Sequence, residues 1–213
     1  MNSAIRWRII SLQAIMIVVL AAGAVFAFTL GTFTTNQIKD ELTAQQIYFP
    51  AADQIKTGGA LDPAEFPQEI RDQAGNQVTD GNQARIYAND FIGKHLEGVA
   101  GGKTYSQVSS QRIAAAGQLA QMKPTDPGYA DQQALVTKLS GQSTTLFQGE
   151  TLRSSLLNAY GWWTIGVYTT YAAFGLLIAA LVVLGALVFE VFVAARKTED
   201  VNVPQKKAAS LPA

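Results

Sequence analysis

Hydrophobic and polar positions divide the chain into five stretches. Residues 9–38 carry no charged side chain and centre on "IMIVVLAAGAVFAFTL". Residues 154–189 carry none either and centre on "GVYTTYAAFGLLIAALVVLGALVF". A bilayer's hydrocarbon layer takes about 20 apolar residues in helical form, because only a helix satisfies its own backbone groups there. Both runs exceed that length. The alternative, two buried helices of a soluble domain, conflicts with how rarely soluble folds sustain uncharged runs this long. The pattern predicts two membrane spans.

Between them the rhythm becomes that of shorter helices. In "NQIKDELTAQQIYF", Ile38, Leu42, Gln45 and Phe49 fall at heptad-like spacing and extend the first span until Pro50 stops it. "LDPAEFPQEIRDQAG" offers Asp62 as N-cap, Pro63 at the first helical position and Glu65 at the third, a short helix ending near Gly75 with Pro67 against it. Asp80-Gly81 reads as a turn. Thr104 caps a helix through "TYSQVSSQRIAAAGQLAQM", and "KPTDPGY" breaks it. Asp126 and Pro127 then restart a helix, and "ETLRSSLLNAYGWW" leads directly into the second span. No segment alternates like a strand.

The expected fold is therefore an all-α membrane protein, two transmembrane helices flanking a small extracytoplasmic helical bundle. Its parts are a cytoplasmic N-terminus (1–8), the first span (9–35), the outer helical domain (36–158), an interfacial approach with the second span (159–195), and a polar, disordered tail (196–213). Ala and Gln stand where large apolar residues would fill a core, so the outer domain is expected to have modest stability alone or a partner's support.

Charge orients the chain. Arg6 and Arg8 precede the first span, and Arg196, Lys197, Lys206 and Lys207 follow the second. The segment between has 13 acids and 10 bases, with no comparable cationic excess. The positive-inside rule then puts both ends in the cytoplasm and the middle outside the plasma membrane. Tyr160, Trp162, Trp163, Tyr168 and Tyr171 cluster at the outer end of the second span, where aromatic rings favour the interface. The alternative for the first span is a cleaved signal peptide, with Ala22, Gly23 and Ala24 as a small-x-small site. The apolar run continues through Ala27, Phe28, Leu30 and Phe33, longer than a typical signal core.

Candidate chemistry changes this picture little. Formal net charge is zero, so no basic field argues for nucleic acid. The absence of cysteine removes disulfides, thiolate zinc sites and thiol nucleophiles together. The single histidine, His95, lies in "YANDFIGKHLEGVAGGK". At about 100° per residue, Ala88, Phe91, Ile92, His95, Leu96 and Val99 share an apolar stripe, while Asp90, Lys94 and Glu97 fall opposite. His95 thus reads as a packed side chain, with a pH-sensitive packing switch as the alternative. Asp90 and Lys94, four apart, read as a surface ion pair. No second histidine completes a metal set, and no partner is placed for catalysis, so neither a cofactor nor a catalytic residue is expected. Gly98 to Lys103 resembles a phosphate loop only superficially, since its glycine spacing is wrong and it joins helices.

Glu150 and Arg153 suit a local helix pair or a partner-facing surface. Gly23, Ala27 and Gly31, and likewise Gly175 and Ala179, stand at four-residue spacing and allow close helix packing, within the chain or with another membrane protein. Glu190, at the inner end of the second span, can snorkel or pair with Arg196.

The stretches "YANDFIGKHLEG", "GGKTYSQVS" and "LFQGETLRSSLLNAYGWW" resemble a family of small actinobacterial two-span membrane proteins of unknown function, over residues 87–163 and in hydropathy plan. The resemblance implies topology and host group. Some relatives bear the name of an aromatic ring-opening dioxygenase, but extradiol chemistry needs two histidines and a carboxylate on iron. One histidine in an apolar stripe gives that no support. The expectation is a non-enzymatic accessory or scaffold subunit of a cell-envelope complex, partnered by the lipid bilayer and a membrane protein or a second copy. The alternative is an extracytoplasmic ligand sensor acting through a separate protein, given the short tail after the second span.

Overall fold

The computed structural model describes residues 3–194, and every regular element among them is helical. The order is α1 (Ser3–Ala44), a 3₁₀ turn (Ala52–Gln54), α2 (Gln68–Arg71), α3 (Gly81–Ile86), a π-helical segment (Tyr87–Gly93), α4 (Lys94–Val99), α5 (Tyr105–Leu119), α6 (Tyr129–Phe189) and a terminal π-helical segment (Glu190–Ala194). An isolated antiparallel bridge, Tyr48 to Gln77, is the only extended pairing among the described residues. The expected tail, 196–213, and its basic residues lie outside them.

Two compact units divide the chain, one drawn from residues up to Phe33 and from Gly166 onward, the other Thr34–Ile165. The boundaries fall within α1 and α6.

In the first unit, α1 and α6 are long and apolar enough to cross a membrane. Only 6% and 11% of their most apolar stretches are buried, which is unlike the core helix of a soluble fold. Ile15, Val18, Val19, Val25 and Phe26 of α1 and Ile178, Leu181 and Val182 of α6 are exposed. One inward line on each helix follows steps of three and four: Gln13, Ile17, Leu20, Ala24, Ala27 and Gly31 on α1, and Gly166, Thr169, Ala173, Leu176, Ala180 and Val183 on α6, with half-buried neighbours such as Gly23 and Ala179 beside it. This 3.5-residue period is the seam of two helices packed as in a coiled coil.

In the second unit the pattern inverts, with apolar side chains inside. Leu61, Ile70, Val78, Ile86, Val108 and Leu156 are fully buried. Removing each such side chain from water contributes about 1.5–3 kcal/mol. The core gathers around α2, α3, the π segment and α4, where Phe49 packs edge-on to Tyr87 at 5.2 Å. By contrast α5 buries only Val108 and Ala115, which agrees with the thin supply of large residues there.

Several boundaries differ from the expected ones, each for a local reason. The helix α1 ends at Ala44, before Pro50, because Gln46 takes a left-handed φ of 52°. The chain then extends so that Phe49 N–H reaches Asn76 O (2.9 Å) and Phe49 is buried, leaving Gln45 beyond the helix. Asp62 does not cap a helix. Its carboxylate accepts from Gly58 N (2.7 Å) and Ala64 N (2.9 Å), closing a turn. These two bonds hold its carboxyl below its ordinary pKa, Ala64 contributing most. The helix waits until after Pro67, since an interior proline lacks the N–H and clashes with the preceding turn. Asp80 caps α3 through Gln83 N (2.9 Å), so the expected turn is a helix start. Thr104 forms the expected cap, as a full capping box with Gln107. Asp126 closes a turn onto Lys123 N (2.8 Å), Gly128 follows at φ 84°, and α6 begins only at Tyr129.

Candidate functional site

The π segment decides where His95 goes. From Tyr87 to Gly93 the backbone winds more slowly than an α-helix, because its bonds close over five residues instead of four. Residues beyond it are therefore rotated out of the 100° register. Ala88, Ile92 and Leu96 stay buried, but His95 is exposed, against the expectation of a packed side chain. Its ring lies on Phe91 (centroids 4.4 Å) and near Phe66 (6.0 Å), and its Nδ1 is 2.7 Å from Phe91 O. A proton on Nδ1 donated to that carbonyl leaves Nε2 with the lone pair. The surrounding groove, about 440 Å³, is lined by Glu65, Phe66, Lys94 and Glu97 among others. No group of three or more metal-ligating side chains occurs among the described residues.

The same rotation reassigns charges. Lys94 meets Glu97 (3.5 Å), in place of the expected Asp90. Asp90 instead lies half-buried, and burial pushes its carboxyl pKa up, reinforced by Glu69 and opposed by Arg85. Arg85 pairs with Glu69, bonds Asn82 Oδ1 through Nε (3.3 Å), and stands 6.0 Å over the Tyr160 ring. Burial likewise raises the Tyr87 phenol, held between Phe49 and Phe91.

Glu150 and Arg153 form the expected i,i+3 pair at 3.4 Å. Arg153 does more. Its Nη2 donates to Asn89 Oδ1 (3.1 Å), tying α6 to the π segment 64 residues away in sequence. Beside it Gly149 receives the Leu96 side chain so closely that a Cβ would clash. These groups surround a small cleft of about 190 Å³ that also touches Lys103 and Thr104. Asn89 carried no sequence signal; only the fold brings it to Arg153.

Within the apolar unit, Gly31 is a contact point. A Cβ there would lie 2.7 Å from Gly166 O and closer still to Thr170 Oγ1. Gly23 faces Leu176 at ordinary contact distance, and Ala27 is half-buried on the same seam. On α6 the seam is Gly166, Ala173 and Ala180, whereas Gly175 is exposed with open space around it and Ala179 is half-buried. Two residues from Ala173 is about 200° around the helix, so Gly175 points away. At the other end Arg6 Nε pairs with Glu190 Oε1 (3.0 Å), and Arg6 Nη2 donates to Glu190 O (2.7 Å). Glu190 is thereby matched across 184 residues of sequence; Arg196, its expected partner, lies outside the described residues.

The arrangement offers packing contacts, a surface histidine and clefts. The chain matches no family model, no curated protein and no solved structure.

Proposed function

We propose that the chain is a two-pass plasma-membrane protein with both termini cytoplasmic and the Thr34–Ile165 unit outside. In this reading it works without chemistry of its own, as an accessory or scaffold subunit of a cell-envelope complex. One observation carries it: the two units of one chain show opposite surfaces, apolar residues outward on α1 and α6 and inward around Leu61, Ile70 and Ile86. An apolar surface of that extent needs lipid or protein against it. His95, Glu150 and Arg153 are engaged in packing and pairing contacts that suit a binding surface. The actinobacterial resemblance belongs to the same proposal.

Purification of the tagged full chain at native level in mild detergent, with crosslinking and mass spectrometry, tests it. A reproducible partner crosslinked through Thr34–Ile165 or the exposed side of α1 at Val18, Val25 and Phe26 is the expected result. A chain that comes alone, repeatedly, contradicts the subunit reading. A ligand sensor acting through another protein is the second reading, favoured by a cleft of about 670 Å³ on the helix α6.

A further inference from the structure

That cleft lies between the end of α4, the turn at residues 100–103, α5 and the first turns of α6. Its floor is apolar, with Ala115 and Leu139 buried and Val99 half-buried. Space is left because α5 presents Ala114 and Ala115 where larger residues would fill it. Around the opening stand Lys103, Lys138, Gln111, Gln118 and Gln142, and no carboxylate among the described residues lines it.

Hydrogen bonding fixes what these side chains have left to offer. Lys103 Nζ donates to Gln111 Oε1 (3.2 Å). An ammonium only donates, so Gln111 must turn its oxygen that way, and its NH₂ remains. Gln132 Nε2 donates to the Ala115 carbonyl (2.8 Å), which can only accept, and the same NH₂ donates to Gln118 Oε1 (3.1 Å). Gln118 therefore also keeps its NH₂. Gln142 donates one N–H to Val99 O (2.8 Å) and keeps its second N–H and its oxygen. What remains is two ammonium groups and the unused N–H groups of Gln111, Gln118 and Gln142, against the spare lone pairs of three uncharged amide oxygens.

A cleft with surplus donors, two positive charges and a dry floor matches one kind of ligand. Sugars and other hydroxyl compounds both donate and accept, and would give the two ammonium groups no charged partner. An oxyanion accepts from every side and gains charge-assisted bonds to both lysines. We propose that this cleft is a binding site for a small molecule carrying a phosphate or carboxylate on a short apolar stem. The proposal goes beyond the function given above and holds for a scaffold or a sensor alike.

Calorimetric titration of the full chain in nonionic detergent tests it, using phenyl phosphate, phenylacetate and the neutral benzyl alcohol. We expect both anions to bind with Kd of about 0.1–1 mM and the alcohol to give no saturable heat. Lys103→Gln and Lys138→Gln should each weaken the anions about tenfold, and Lys138→Arg should keep most of the affinity. Both lysines are exposed, so the variants should melt with the parent. Ala114→Phe should block the phenyl compounds with the charges intact. Nanodiscs of phosphatidylcholine with or without phosphatidic acid identify the source. Competition by phosphatidic acid assigns a lipid headgroup, and its absence assigns a soluble anion. No binding by either anion, or equal binding in the Lys103→Gln/Lys138→Gln double variant, overturns the proposal.

Discussion

The two units of this chain obey opposite rules. In the Thr34–Ile165 unit large apolar side chains are inside, as Ile70 and Leu61 show, each with no exposed surface. In the other unit most large apolar residues of α1 and α6, such as Phe26 and Val182, face out, and the buried positions of the seam are the small Ala24, Gly31, Gly166 and Ala173. Water drives the first arrangement through apolar burial. On the proposed membrane reading the second gains little from burial, because lipid is as apolar as a side chain; close backbone approach and dispersion then hold it. Stability in the two units therefore resides in different residue types.

The strongest test of that contrast is truncation. Ile70→Ala should cost about 2–5 kcal/mol in denaturant unfolding of the full chain. Val18→Ala, equally apolar but 67% exposed on α1, should stay within about 0.5 kcal/mol. Equal losses would erase the distinction. Conversely, adding one methyl at the seam should hurt the apolar unit. Gly31→Ala should destabilise by about 1–3 kcal/mol in a thermal melt, while Gly175→Ala, which meets nothing within 4 Å, should be neutral. Next comes the cap on α5: Thr104→Ala should lose about 1 kcal/mol, seen as faster hydrogen exchange in Tyr105–Leu119.

The smallest effect is electrostatic and depends on pH. Asp90 has a folded pKa above its ordinary 3.8, so its contribution is fully present below that value and is lost as pH rises through the folded one. Asp90→Asn should thus melt slightly above the parent at pH 7, with the gain vanishing toward pH 3.8. Asp62 has the opposite sign. Its turn is stabilised above 3.8 and loosens as pH falls through the lower folded value. A melting profile in which Asp90→Asn and Asp62→Asn shift in the same direction at pH 7 would contradict these assignments.

How far the sequence already revealed this follows from the range of the interactions. The apolar runs and the Thr104 box are local, and both were legible. The rotation of His95 out of its stripe was not, since a π segment has no reliable residue signature and its effect accumulates over seven residues. Small residues four apart are frequent in any apolar helix, so the spacing of Gly175 and Ala179 pointed to a packing face, while Gly166 and Ala173, seven apart, carried no such signal. Only the partner helix sets the phase. Arg6 with Glu190, Asn89 with Arg153, and the glutamine oxygens spent around the cleft all join residues far apart in sequence. Spacing along the chain says nothing about such pairs.

The two-pass arrangement is the claim on which the functional reading stands, and the chain is well suited to test it because it contains no cysteine. Single cysteines at Ser3, Ser110 and Ser210 would be probed in intact cells with a membrane-impermeant maleimide. The account predicts labelling of Ser110→Cys in whole cells, and of Ser3→Cys and Ser210→Cys only after lysis. Labelling of a terminus in intact cells, or protection of position 110, would contradict it.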